Sequence, residues 1–294
     1  MTKTRKYITV LLILAIILIP AGLYAYNIYR FSSGDADIPS EPIEEPVTVE
    51  LSQDQLMWWD NYDINQDYVG QVRFVSGLID QSFVQAKSVY REDGTAYVFY
   101  DENGNVINNV DDYTGNDVYI WTNWKSGEYD YNDEGGSVFL DYRNTLDDQN
   151  LIIYGHHFSV WNDESRSKSF TPLEQLLDET NLKDNNVLEL ILEDEKRTYE
   201  LWAAYEMDFT SQNDLDNLQY WRTYYDISFN GDKEEGYYQK YINNVETVRL
   251  YDTGVNLSTE DKTLTLQTCI SGYTGIKYEI VVLRFVNSEK WLTY

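Results

Sequence analysis

The sequence predicts a mostly-β domain, a barrel or sandwich of short strands, behind a single membrane-spanning helix. Three observations predict it. Aromatic residues reach 15%, with 27 Tyr and 8 Trp in 294 residues, and such side chains suit pleated, half-buried surfaces. Short β-like runs recur with turn signals between them, as in barrels and sandwiches. The opening segment is basic and apolar, whereas everything after it is strongly acidic.

From Tyr7 to Tyr29 the chain carries no charge. A helix needs about 20 apolar residues to cross a bilayer, and this stretch supplies them. Lys3, Arg5 and Lys6 precede it and only Arg30 follows closely. The positive-inside rule then puts the N-terminus in the cytoplasm and the body outside. Tyr24, Tyr26 and Tyr29 fall at the outer interface, where amphipathic rings are favoured. A cleaved signal peptide is the rival reading. The apolar run is long for one, and Leu23-Tyr24-Ala25 lacks small residues at both key positions. Residues 1–30 therefore read as cytoplasmic tip and anchor. Residues 31–50 follow as an extended linker with Pro39, Pro42 and Pro46 among acids.

Residues 51–294 read as one domain. Leu51 to Asn65 places Leu51, Gln55, Leu56, Trp58, Trp59 and Tyr62 at mixed three and four spacing, which predicts an amphipathic helix capped by Ser52 or Asp54. Strands are expected at Tyr68–Phe74, Ala96–Tyr100, Val118–Trp121, Val138–Leu140, Leu151–Tyr154, Val187–Leu192, Tyr199–Tyr205, Leu264–Thr268 and Tyr278–Val286. Asp93-Gly94, Asn103-Gly104, Gly135-Gly136, Gly272 and Gly275 punctuate them. Thr171-Pro172-Leu173-Glu174 reads as a helix start with Thr171 as N-cap. Asn213 to Asn244 is a long insertion with two helical patterns, one on Leu215, Leu218 and Trp221 and one on Tyr237, Tyr238 and Tyr241. It suits a lid or a helix propped on the barrel. No internal repeat is visible.

Charge and cysteine content exclude several classes. Lys plus Arg is 22 against 50 Asp plus Glu, a net charge of −28. A phosphate backbone needs a basic footprint, so nucleic acid is excluded as a partner. Docking of the body on anionic lipid is disfavoured for the same reason. One Cys rules out an intramolecular disulfide.

That residue, Cys269, ends the run Leu264-Thr265-Leu266-Gln267-Thr268 beside a glycine-bearing loop. A lone Cys is commonly a small buried hydrophobe. In an exported protein an unpaired thiol is unusual, because it oxidises, and a thiolate is a strong nucleophile once a base or cation lowers its pKa. The two histidines, His156 and His157, follow Leu151-Ile152-Ile153-Tyr154-Gly155 at another strand end. Adjacent residues point to opposite faces, so one of them faces a shared site at most. Two adjacent His and one Cys are a poor zinc set. No Gly-x-Ser-x-Gly elbow is present. No calcium loop with its required glycine is visible.

Thr265-Leu266-Gln267-Thr268-Cys269 resembles the Thr-Leu-x-Thr-Cys signature of sortases, and Ile153-Tyr154-Gly155-His156-His157 resembles the Tyr-Gly-His segment of class B sortases. Asp67-Tyr68-Val69-Gly70 resembles the entry to the first barrel strand. Gly136 to Asn144 is similar to the strand preceding the histidine, and Leu250-Tyr251-Asp252-Thr253-Gly254-Val255 to the stretch leading to the cysteine strand. The resemblance runs from Leu51 to the C-terminus.

It implies a closed eight-stranded β-barrel with an N-terminal helix and a helical insertion before the Cys strand. It implies a cysteine transpeptidase that needs no cofactor and no metal. Surface proteins with a C-terminal sorting motif would be cleaved, and the acyl group passed to an amine of a peptidoglycan precursor or a pilin. By motif position Cys269 is the nucleophile, His156 the acid/base and His157 a spare. Gln267 and Thr268 would flank the substrate, although Gln267 departs from the family's Ser. The family's third residue is an Arg eight to ten positions after the Cys. Ile276-Lys277-Tyr278-Glu279-Ile280-Val281 holds none. Arg284 is the expected catalytic Arg, with Lys277 the alternative. A guanidinium braces a carbonyl with two donors, which Lys cannot reproduce. Two other readings use the same sequence: a cysteine endopeptidase with water as acceptor, and a non-catalytic acidic surface adhesin.

Overall fold

The computed structural model describes residues 51–130, 135–158, 168–208, 210–214, 236–269 and 277–291. The expected anchor and linker lie outside the described residues. Among the described residues, no helix is long and apolar enough to cross a membrane.

The domain starts with helix α1, Gln53–Ile64. Its first turn closes through a capping box. Gln55 N–H donates to Ser52 Oγ at 3.2 Å, and Ser52 N–H to Gln55 Oε1 at 2.9 Å, so two otherwise unpaired donors are satisfied. Trp58 is the buried residue of this helix and donates from Nε1 to the Val69 carbonyl at 2.9 Å.

Eight strands follow: β1 Tyr68–Phe74, β2 Asp80–Val84, β3 Val138–Leu140, β4 Asn150–Tyr154, β5 Val187–Ile191, β6 Glu195–Asp208, β7 Thr263–Cys269 and β8 Lys277–Lys290. They close in the order β1-β2-β3-β4-β7-β8-β6-β5. β2 pairs with β3, and β4 with β7, in parallel; the other pairs are antiparallel. Parallel neighbours need a long connection, and that between β4 and β7 spans most of the C-terminal half. Gly70 lets β1 approach β5, since a Cβ there would lie 2.2 Å from the Ile191 carbonyl oxygen.

Strand alternation sorts the side chains. Val72, Phe74, Leu140, Ile153, Leu266 and Val281 fill the barrel interior. On the outside, helix α3, Tyr237–Val248, lays Tyr238, Tyr241 and Val245 against Trp202, Tyr205 and Ile280. A second outer cluster joins α1 through Trp58 to Tyr68, Phe99, Tyr119 and Phe139. Each such large apolar side chain contributes about 1.5–3 kcal/mol on full burial.

Several sequence expectations need correction. Val118–Trp121 is not a strand. It overlaps the short helix α2, Gly115–Tyr119, because Thr114 and Asp117 form a capping box, with Thr114 N–H donating to Asp117 Oδ2 at 2.7 Å. Ala96–Tyr100 makes isolated bridges, Tyr90 with Ala96 and Tyr100 with Val106. Those bridges belong to a tandem pair of hairpins that repeats every ten residues. Arg91 N–H to Thr95 carbonyl and Tyr97 N–H to Val89 carbonyl recur as Asp101 N–H to Asn105 carbonyl and Ile107 N–H to Phe99 carbonyl. Gly94 and Gly104 hold the same positive φ, 82° and 78°. Thr171 lies inside a 3-10 helix, Thr171–Leu177, that starts after Phe170. Its Oγ1 accepts from Phe158 N–H at 2.9 Å instead of capping. In the insertion, Tyr238 and Tyr241 are buried as expected of a helical face, while Leu215, Leu218 and Trp221 lie outside the described residues.

Candidate active site

β4 and β7 run side by side, with Tyr154 level with Gln267. Beyond that level β4 continues into Gly155 and His156, and β7 into Thr268 and Cys269. The two expected catalytic residues thus finish adjacent parallel strands and line one groove of about 230 Å³. Cys269 is exposed and forms no disulfide. A larger polar cavity, about 390 Å³, lies beside Gln71, Asp80 and Lys125 and contains neither group.

His156 is held from three sides. Its Nε2 lies 2.6 Å from the Ile120 carbonyl just past α2. A carbonyl only accepts, so Nε2 carries the proton and Nδ1 is the basic nitrogen of the neutral ring. The ring stacks on Trp121 at 4.5 Å between centroids. Its backbone N–H donates to Ser169 Oγ at 3.0 Å. Burial pushes the imidazole pKa below its ordinary value, and the bond to Ile120 opposes that only in part. Gly155 is required by packing, because a Cβ would sit 2.6 Å from the Phe170 ring. His157 turns away, with Nε2 3.3 Å from Glu174 Oε2.

Gln267 and Cys269 share a face of β7, and Tyr278 stands opposite Cys269 on β8. Gln267 and Thr268 are both buried and both border the groove. The Gln267 side chain lies on the groove face. Thr268, one residue along, turns its side chain to the barrel interior opposite Glu279.

The expected cation is not brought to this site. Arg284 stands level with Thr263 at the far end of the β7–β8 pair, six strand positions or about 20 Å from Cys269. There its Nε donates to Glu200 Oε1 at 2.9 Å, its Nη2 pairs with the same carboxylate, and its Nη1 donates to the Asn256 carbonyl at 3.1 Å. The antiparallel register puts it there, since no bulge shifts β8 against β7. Lys277 neighbours Tyr278, so alternation turns it off the groove face, and its Nζ pairs with Glu206 Oε2 at 2.6 Å.

A different guanidinium borders the groove, that of Arg143, in the turn after β3. Its Nε and Nη2 grip both oxygens of Asp141, at 2.8 and 2.7 Å. Asp141 also accepts from Tyr154 Oη at 2.8 Å. Burial drives this carboxyl upward, but the Arg143 contacts and the tyrosine prevail and hold it below the usual carboxylate range. Sequence reasoning used Asp141-Tyr142-Arg143 as a family marker and missed that it furnishes one end of the groove. Tyr278 was missed too, for want of the register.

The barrel, with a cysteine and a histidine ending neighbouring strands, defines the sortase class of fold. The solved sortase B of Clostridium perfringens superposes with a TM-score of 0.55 at 22% identity, over 78% of this chain and 99% of that one. The sequence is similar to sortase B proteins as well. The chain is 27% identical over 150 residues to the sortase B of Staphylococcus aureus, covering 50% of this chain and 53% of that protein. It is 25% identical over 210 residues to the sortase B of Listeria monocytogenes, covering 70% and 64%. No protein-family model matches the chain. The chain is a homologue of class B sortases in sequence and in fold. Its matches span between about half and two thirds of the length of those curated relatives.

Proposed function

We propose that this chain is a membrane-anchored cysteine transpeptidase of the cell surface. The observation that carries the reading is the convergence of Cys269 and His156 on one groove from the ends of parallel strands. The Cys269 thiol passes its proton to the basic Nδ1 of neutral His156 as Sγ attacks a peptide carbonyl, and an S–C bond forms as the carbonyl electrons move to oxygen. Collapse breaks the C–N bond, and His156 Nδ1–H protonates the departing amine. An incoming amine then loses its proton to neutral His156 and displaces the thiolate from the thioester. The pKa of His156, lowered by burial, keeps the ring largely neutral at physiological pH, ready for this second proton transfer.

The substrate class is an exported protein with a C-terminal sorting motif, and the acceptor an amine of a peptidoglycan precursor or a pilin. No cofactor takes part. Residues 7–29 anchor the chain, 31–50 lift the body from the membrane, and 51–294 carry the chemistry outside the cell. The acidic body suits an amine nucleophile, because a negative field draws cations.

The test is incubation of the chain with a peptide library from a digested bacterial proteome and hydroxylamine as a small amine. Transpeptidation yields peptide hydroxamates, and Cys269→Ala abolishes them without unfolding the domain. Free acids in place of hydroxamates mark an endopeptidase. Products that survive Cys269→Ala, or no products from the native chain, overturn the reading.

A further inference from the structure

A pocket of about 370 Å³ lies between the first hairpin of the tandem pair and the turn that follows α2, and it shares no lining residue with the groove. Arg91 reaches it from the hairpin and Lys125 from the turn, which closes through Gly127 N–H to the Asn123 carbonyl at 2.8 Å. Each cation is held over an aromatic ring of the same pocket. Arg91 stands 4.0 Å from the Tyr97 centroid, and Lys125 Nζ 5.1 Å from that of Trp124. Such stacking orders a long side chain before any ligand arrives. Asn65 ties the walls together, since its Nδ2 donates to Tyr119 Oη at 2.9 Å and to the Trp124 carbonyl at 2.8 Å.

Charge sets this pocket apart. The chain has 50 acids against 22 basic residues, yet no Asp or Glu lines it. Among the described residues every other arginine, Arg73, Arg143, Arg197, Arg249 and Arg284, pairs with a carboxylate, and Arg91 does not. Asp93 lies near enough to feel Arg91, but its Oδ1 accepts from the Thr95 N–H and hydroxyl at 2.9 and 2.6 Å. Asp67 is taken by the hydroxyls of Tyr97 and Tyr119, at 2.9 and 2.6 Å. Thr122 also lines the pocket. It is 3% exposed, and its Oγ1 is buried with no hydrogen-bond partner among the described residues. Arg91 and Lys125 are exposed, so the cations stand at the mouth and the unpaired hydroxyl at the back. An unpaired buried hydroxyl is costly, and in a cationic pocket it points to an anion whose oxygens accept its proton.

We propose that this pocket binds a small phosphate ester, with its phosphate held by Arg91, Lys125 and the Thr122 hydroxyl. A guanidinium fork, a point charge and a hydroxyl converge from separate elements. They suit a tetrahedral group with three outer oxygens better than a flat carboxylate with two. The volume falls at the small end of ligand pockets and leaves room beyond the phosphate for an esterified group such as one sugar. The acidity of the surrounding body disfavours an anionic lipid surface as the source of the phosphate. The site stands apart from the transpeptidase reading, and its failure leaves that reading intact.

Titration calorimetry of the full chain in neutral detergent tests this, with glucose 6-phosphate, inorganic phosphate and acetate as probes. One saturable site for glucose 6-phosphate is expected, tighter than for inorganic phosphate and far tighter than for acetate. Arg91→Gln and Lys125→Gln should each weaken it by about tenfold or more, the scale of a charge-assisted hydrogen bond. Thr122→Val keeps the shape and removes the hydroxyl. It should weaken binding by about threefold and leave the thermal midpoint of the unliganded chain equal or higher, because an unpaired buried group is lost. A hydroxyl with a merely structural role would lower the midpoint and leave the affinity alone. The two cation variants, both at exposed positions, report in place of Thr122→Val if it fails to fold. No saturable binding, acetate binding as tightly as the ester, inorganic phosphate binding more tightly than the ester, or an affinity unchanged in both cation variants overturns the proposal.

Discussion

The two ends of the β7–β8 pair are built from similar residues and handle their polar groups in opposite ways. At the Thr263 end the groups close on one another. Asn150 Oδ1 accepts from Thr263 and Thr265 at 3.0 and 2.9 Å. Gln149 Nε2 donates to the Thr259 and Asp261 carbonyls, leaving only its oxygen over. Arg284 clasps Glu200. At the Cys269 end, Gln267 Oε1, Thr268 Oγ1 and both oxygens of Glu279 are buried with no hydrogen-bond partner among the described residues. Buried polar groups are paired as a rule. The first end is a clamp that holds the strands, and the second forgoes stability around its reactive groups.

Breaking the working end should have the largest effect. His156→Ala should lower transfer by about 10² or more, the usual scale for a general acid–base, whereas His157→Ala, on the far side against Glu174, should cost far less. Steady-state rates of the two variants decide this, and reversed effects would place the wrong histidine in the groove. The pH profile sharpens the same point. The folded His156 has a lowered pKa, so the unfolded chain binds its proton first as pH falls. The stability owed to the neutral ring is present above about 6.5 and is lost below it, down through the folded pKa. The acid limb of the native rate profile should accordingly fall below pH 6.5, and a limb above that value would contradict the burial argument.

Glu279 tests the unpaired groups behind the groove. Burial, then repulsion from Glu174 and Glu206, raises its pKa well above the ordinary carboxylate value. The folded state holds this proton after the unfolded state has lost it. Stability is thus complete below about pH 4.5 and declines as pH rises toward the folded pKa. Glu279→Gln should raise the thermal midpoint at pH 8 by about 2–4 °C for each kcal/mol relieved and change it little at pH 4. Melting curves at the two pH values check this, and equal shifts at both would refute it.

The smallest effect is expected at the clamp. Arg284→Gln should cost up to about 1 kcal/mol of stability, as for a partly exposed ion pair, and leave the transfer rate unchanged. A large rate loss in a folded Arg284→Gln would mean that the far end of the strand pair reaches the chemistry after all.

The same contrast shows what was legible in the sequence. β1 and β3 were read with their observed bounds, and the cores of β4 to β8 within a few residues, because apolar runs between turn residues mark buried strands. β2, Asp80-Gln81-Ser82-Phe83-Val84, was missed because it turns polar side chains outward along half its length. α2 was misread because Val118, Tyr119 and Ile120 are strand formers, and only its capping box shows otherwise. The ten-residue hairpin repeat was hidden because its matched positions, such as Val89 with Phe99 and Arg91 with Asp101, preserve shape more than identity. The meeting of Cys269, His156, Gln267 and Thr268 at one groove was legible from motifs at strand ends. Arg284 was not, since its distance from Cys269 depends on strand register, which a single sequence does not state.

Closure of the barrel limits how a peptide can be held. Each of the eight strands has a neighbour on both sides, and beside the groove β4 and β7 are paired from Asn150–Thr263 to Tyr154–Gln267, so these two strands offer no facing edge to a visiting chain. Strand addition, in which a ligand's main chain extends an existing ladder, is therefore closed between β4 and β7. Recognition must then fall on loops and groove side chains, and affinity has to accumulate residue by residue. An inhibitor drawn as a flat β-strand mimic would find nothing to zip against between β4 and β7. A short, kinked ligand rich in side-chain contacts and carrying an electrophile for the thiol suits this architecture better.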